Sequence, residues 1–143
     1  MEINGVEVAN STRPRLLFET SLPIRYYIPT TDCKLELLGP SETSTQCPYK
    51  VRPRAIVHAS RLRSWHDRFR LQGVASYYHI NLPSGDILED LVWYYRTPQL
   101  ECAEIRGCIA FYNEKVDIYL DGELQPRPES PWASKRASAV VPV

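Results

Sequence analysis

The chain has 143 residues, 43% of them hydrophobic, and its 17 basic and 17 acidic side chains leave a formal net charge of zero. That length makes one domain the default and is enough to bury a core without metal or disulfide staples. Twelve prolines exclude long helices, while nine tyrosines and three tryptophans favour strands.

No apolar run reaches about 18 residues, so no membrane span is expected. The opening Met1-Glu2-Ile3-Asn4-Gly5 has neither the basic nor the apolar part of a secretory leader. The four cysteines, Cys33, Cys47, Cys102 and Cys108, show no C-x-x-C spacing. A zinc site therefore has no support, neither a metal nor a cofactor is expected, and the thiols are read as reduced in a cytoplasmic protein.

Residues 6–9 alternate and predict a strand, and 10–14 a turn. Arg15–Glu19 and residues 25–28 are strand-like runs around Leu22-Pro23. Residues 30–32 read as one helical turn or the start of a loop. Residues 34–38 are ambiguous, and Gly39-Pro40-Ser41 ends them. The aromatic and β-branched run 74–82 predicts a strand, with a turn at 83–86 and a partner strand over 88–95. Residues 109–112 and 116–120 read as a hairpin around Asn113-Glu114, closed by Asp121-Gly122. Further prolines and small residues make 126–143 a Pro-rich flexible tail. The expected fold is mainly β (β-rich α+β). It is a curved antiparallel sheet or small open barrel with a cleft, one domain over 5–125.

Chemistry concentrates around residues 44–50, Ser-Thr-Gln-Cys-Pro-Tyr-Lys. Cys47 is a nucleophile if Lys50 or Arg25 lowers its thiol pKa, or a small buried hydrophobe, as most free cysteines are. Tyr49 and Lys50 follow a proline that fixes the backbone before them. Lys50 suits an anionic ligand, or acts as a base when desolvated, against the ordinary fate of a solvated lysine. Arg25 and Tyr27 share one face of a strand. Arg25 either clamps a carboxylate or phosphate or forms a structural ion pair with Glu19 or Asp32. Trp93, Tyr94 and Tyr95 wall a pocket or fill the core. Asn113 is a binding or a turn residue, and Glu114 or Asp117 a general base or an exposed carboxylate. His79, inside an aromatic strand, reads as a packed core histidine.

Several of these stretches, taken in order, resemble the family called domain of unknown function 427. They are residues 12–20, 23–29, 45–50 (Thr-Gln-Cys-Pro-Tyr-Lys), 75–78, 93–95, 109–123 and Pro131-Trp132. The resemblance implies a small β-rich domain with a cleft lined by these motifs, and it transfers a fold and a pocket rather than a reaction. A nucleotidyltransferase label attaches to the family. The Gly-Ser and paired aspartates that such chemistry uses to hold two metals are missing here.

One departure is large. In the family the Cys-Pro-Tyr-Lys motif runs straight into Gly and a strand. Here Lys50 and Gly73 are separated by 22 residues, 51–72, with six arginines (Arg52, Arg54, Arg61, Arg63, Arg68, Arg70) against Asp67. Outside this basic insert the chain is mildly acidic, so the core domain has no nucleic-acid footprint. Two origins fit. The segment is a retained-intron peptide: a whole number of codons, opening on a valine codon that begins GT and closing on a glutamine codon that can be CAG. Or it is a genuine insertion, with Leu62, Trp65 and Phe69 on one face of a basic helix that meets a weak anionic partner through Arg52 to Arg70, or a membrane surface. Lengthening the loop costs only about 1.7 kcal/mol.

Together these features describe a small-molecule-binding domain, with Arg25 and Lys50 for an anionic group and Tyr27, Tyr49, Trp93 and Asn113 lining the site. If it is an enzyme, Cys47, Lys50 and Glu114 are the catalytic candidates. A cofactor-free isomerase, cyclase or hydrolase tailoring an anionic or aromatic metabolite fits them best. The alternatives are a non-catalytic interaction module and an impaired gene-model product.

Overall fold

Asn4 and Gly5 both take positive φ, 50° and 78°. That is the backbone of a two-residue hairpin turn whose twist matches its strands. It joins β1 (Glu2–Ile3) to β2 (Val6–Glu7), with Ile3 opposite Val6. Sequence reading found the second strand but passed over the Asn-Gly signal. The hairpin is docked by reciprocal backbone bonds between Glu2 and Asp117, at 2.9 and 2.8 Å. The computed structural model describes residues 1–19, 23–46, 53–58, 74–98, 100–129 and 140–142.

One antiparallel sheet dominates. Its strands are β3 (Arg15–Glu19), β4 (Arg25–Pro29), β5 (Leu38–Gln46), β6 (Pro53–His58), β7 (Val74–Asn81), β8 (Asp86–Tyr95) and β9 (Cys108–Phe111). Their spatial order is β5-β7-β8-β9-β4-β3-β6, open at both ends, so the fold is mainly β in a single domain and the sheet does not close into a barrel. A small ribbon pairs β10 (Tyr119–Leu120) with β11 (Glu123–Leu124) around Asp121 and Gly122, which also take positive φ. Short 3-10 turns cover Thr30–Asp32, Leu35–Leu37 and Leu100–Ile105. Among the described residues no helix is long and apolar enough to cross a membrane.

The structure differs from the sequence reading at three places. Gly39-Pro40-Ser41 does not end an element. It lies inside β5, where a register shift between Pro40 and Ser44 absorbs the irregularity. β5 is an end strand, where a proline's missing N–H removes no ladder bond. Residues 116–120 do not form a hairpin with β9. Asn113–Lys115 turn the chain, Val116 and Ile118 enter the core, and the Asp121-Gly122 turn serves only β10 and β11. The stretch 126–143, read as a tail, contributes β12 (Val140–Pro142), which pairs with the first half of β8. Residues 130–139 and 143 lie outside the described set.

Period-two alternation sends side chains to both faces. One face carries Ile28, Ile80, Val92, Ile109 and Phe111, and Ile3, Val8, Val116 and Ile118 cover it. The other carries Leu17, Tyr27, Ala75, Tyr77, Trp93, Cys108 and Ala110, with Ile105 packed among them. Both faces are packed, and the second also carries the buried Arg25.

The connection interrupted by the arginine-rich segment is a hairpin. The final β5–β7 pair is Gln46 with Val74, so the chain between them links two antiparallel neighbours. Of the 51–72 segment, residues 53–58 form β6 on the outer edge of β3. The remainder, with the proposed helix face of Leu62, Trp65 and Phe69, lies outside the described residues.

Candidate functional site

Ala110 is flanked in register by Tyr27 on β4 and Trp93 on β8. A methyl group between two large residues leaves room above the middle strand, and both rings lean into it. They meet edge to face, centroids 6.3 Å apart and planes at 88°. The Trp93 indole N–H donates to the Tyr27 hydroxyl at 3.1 Å. Burial of both rings makes that bond necessary, since an indole donor without water must find a protein acceptor.

Extending the Tyr27–Ala110 register by two residues sets Tyr112 opposite Arg25. Tyr112 continues the strand direction, its N–H donating to Leu91 O at 3.2 Å. The chain then turns, Lys115 N–H bonding Tyr112 O at 2.8 Å, and this returns Glu114 over β4. The Arg25 guanidinium donates from Nη1 to Glu114 Oε2 at 2.8 Å and from Nη2 to Oε1 at 2.9 Å. The pair is deeply buried, the side chains 7% and 1% exposed. The guanidinium carbon also lies 5.4 Å from the Trp93 ring centre and 5.8 Å from that of Tyr112. The two rings are 4.6 Å apart. A charge buried this far needs a partner charge and matched geometry, and the planar fork supplies both. The flanking π faces add cation–π attraction.

Asn113 is held by the same turn. Its Nδ2 donates to Ile24 O at 2.5 Å. Its Oδ1 is buried with no hydrogen-bond partner among the described residues. Farther along the face Thr45 Oγ1 and the Tyr77 hydroxyl meet at 2.7 Å, joining β5 to β7. Tyr95 and Tyr112 are half-buried and form the rim. Burial pushes the Cys108 thiol up, against a smaller opposing pull from Arg15 and Arg13. Among the described residues no cluster of three His, Cys, Asp or Glu is placed to hold a metal ion.

The structure thus brings together Arg25, Tyr27, Trp93, Asn113 and Glu114, contributed by two strands and a turn. Cys47, Tyr49 and Lys50 lie outside the described residues. Arg25 is paired with Glu114 rather than with Glu19 or Asp32. Asp32 is instead engaged by the Ser11 hydroxyl at 2.6 Å and by Arg13 at 3.3 Å, and Asp117 holds Arg127 at 2.8 Å. His79 is half-buried at the β7–β8 bulge, where its Nδ1 accepts the Asp90 backbone N–H at 3.1 Å. That bond fixes the tautomer with its proton on Nε2.

Two contributors escaped the sequence reading. Tyr112 is adjacent to Asn113 and Glu114, and its signal is strand alternation carried two residues past β9. Ala110 had no local signal, because its importance comes from what lies beside it on two other strands.

A family model described as Domain of unknown function (DUF427) matches residues 1–56 and 52–122. The two matched stretches meet inside the arginine-rich segment. No curated protein matches the chain.

Proposed function

The chain belongs to the DUF427 family, and from that premise we propose a small-molecule-binding domain whose aromatic face receives a flat organic ligand over the Arg25–Glu114 pair. The observation that carries this is the guanidinium set beside the touching rings of Trp93 and Tyr112, with both outer nitrogens given to Glu114. Glu114 neutralises Arg25, so the pair offers polarity and fixed direction without net charge. The half-buried rings of Tyr95 and Tyr112 offer stacking area. An aromatic or conjugated ligand suits this surface better than a compact anion. An arginine has five N–H donors, so a carbonyl or carboxylate on such a ligand can still be met by this guanidinium.

Cys47, Tyr49 and Lys50 complete the site in this proposal. β5 ends at Gln46, one residue before Cys47, and Thr45 already touches Tyr77 on the aromatic face. Lys50 is assigned the ligand's anionic substituent. As a catalyst, Glu114 would accept a proton from a ligand that displaces one of its Arg25 bonds, with Cys47 as nucleophile or Lys50 as base. Isomerisation, cyclisation and hydrolysis without a cofactor are the reactions compatible with these groups.

The test is an NMR titration with indole, phenol and benzoate in a Trp65→Phe/Trp132→Phe background, following the Trp93 indole resonance. Binding of an aromatic probe that is lost in Tyr112→Ala, with the fold retained, is expected. A Trp93 signal that no probe moves, or binding that survives both Tyr112→Ala and Lys50→Ala, would refute the site.

A further inference from the structure

A second concentration of chemistry lies on the opposite face of the sheet. Tyr78 on β7 and Tyr94 on β8 are diagonal neighbours: Ser76 pairs with Tyr94, and Tyr78 with Val92. Diagonal pairs on one face are within reach of aromatic side chains, and sheet twist closes one of the two diagonals. Here the rings stack, centroids 4.6 Å apart and planes within 16°. Both are half-buried at the margin of the core, on the face away from Arg25.

We propose that Tyr78 and Tyr94 form an oxidative modification site, at which a one-electron oxidant joins the two rings through an ortho carbon–carbon bond and staples β7 to β8. The geometry supports it in two ways. Near-parallel stacking brings the carbons of one ring into contact with those of the other, the proximity at which two phenoxyl radicals couple, and the rings then turn edge to edge about the new bond. The two phenols also share an electrostatic environment, in which each acts on the other and Arg96 and Ser76 act on Tyr94. Burial alone would raise both phenols. It does raise Tyr78, but at Tyr94 it is outweighed by Arg96, through its proximity and its charge, and by Tyr78 and Ser76, leaving that phenol below its ordinary value. Tyr94 is the phenol that gives up its proton more readily, and Tyr78 is the partner held against it.

The step balances. Each phenol loses one electron and its hydroxyl proton, giving two phenoxyl radicals. The radicals form one bond between ortho carbons. Each ring then regains aromaticity as its ortho hydrogen leaves and a proton returns to oxygen. Two electrons and two protons depart in all. Hydrogen peroxide, turned over by a haem peroxidase, takes them and becomes water.

The experiment treats the whole protein with peroxidase and equimolar hydrogen peroxide, then digests it with a protease that cleaves after glutamate. Glu89 lies between the two tyrosines, so a link between them holds two peptides together. The expected product is that joined pair, lighter by two hydrogens than its separate halves. It should be absent in Tyr78→Phe and in Tyr94→Phe, unchanged in Tyr119→Phe, and slower to form in Arg96→Ala. Both phenylalanine variants keep the ring, so loss of product is not loss of packing. Failure to form the pair, or a product that persists in Tyr78→Phe, would overturn the assignment.

Discussion

Tyr27 and Trp93 stand on strands that are not neighbours, yet the Trp93 indole donates to the Tyr27 hydroxyl at 3.1 Å across Ala110. The smallness of Ala110, which is fully buried, is what allows the two rings to meet.

Ala110→Leu is therefore expected to be more damaging than an ordinary apolar exchange. Room for three extra heavy atoms is not available above β9, so the added side chain must push Tyr27 and Trp93 apart. Overpacking of this kind costs about 1–3 kcal/mol, and separation of the rings adds an unpaired buried indole. Tyr27→Phe removes the hydroxyl that accepts from the indole. It should cost about 1–3 kcal/mol while leaving the edge-to-face contact in place. Urea titrations of both variants check this, and the near-UV signal of Trp93 should change in Ala110→Leu much more than in Tyr27→Phe.

The Arg25–Glu114 pair makes a second, sharper prediction. Removing one member strands the other charge in a site from which water is excluded. Arg25→Met or Glu114→Leu alone should each destabilise by about 3–5 kcal/mol. The double variant should recover much of that loss, because two apolar side chains of similar size leave nothing unpaired. A double-mutant cycle by denaturant unfolding measures the recovery. If the double variant is as unstable as the sum of the singles, the pair contributes by packing alone.

Much of this arrangement is visible in the sequence and some of it is not. The strands holding Arg25, Tyr27, Tyr77 and Trp93 stand out because β-branched and aromatic residues alternate there and turn residues bound them. The candidate cluster follows from alternation too, since Arg25 and Tyr27 must share a face. What alternation cannot supply is which strand lies beside which. The order β8-β9-β4 is non-sequential, so the meeting of Arg25 with Glu114, 89 positions away, has no local trace. β5 was hidden for a different reason. Gly39 and Pro40 look like a terminator and act as a bulge, because an end strand tolerates what a central strand does not.

The buried thiols predict an alkaline weakness. Burial, aided by Asp32 and Cys108, pushes the Cys33 thiol up to about 12, and burial also raises Cys108. An unfolded thiol ionises near about 8.5. Below that value both states hold the proton and stability is unaffected. Above it the unfolded chain releases the proton while the folded chain keeps it, so stability falls as pH rises, progressively up to about 12. Urea midpoints at pH 7 and pH 10 should show a drop that is smaller in Cys33→Ala than in the wild type. Iodoacetamide at pH 9 should label Cys33 and Cys108 slowly until denaturant is added. Equal drops with and without Cys33 would remove the thiol from this account.

Deletion of residues 51–72, with Lys50 joined to Gly73, gives the last prediction. Gln46 on β5 and Val74 on β7 are antiparallel partners, so the deletion shortens the chain that links two adjacent strands. Reducing that connection from about 27 residues to about 5 lowers the closure term by about 1.5 kcal/mol. Against this stands the loss of β6 from the outer edge of β3. β6 is terminal in the sheet, Arg25 and Glu114 hold each other, and Trp93 bonds Tyr27. The shortened protein should therefore fold, retain the near-UV signature of the Tyr27–Trp93 contact, and unfold at a urea midpoint no lower than that of the full chain. A midpoint clearly below it would mean that the edge ladder of β6 outweighs the loop term and that the arginine-rich segment is a structural part of the sheet.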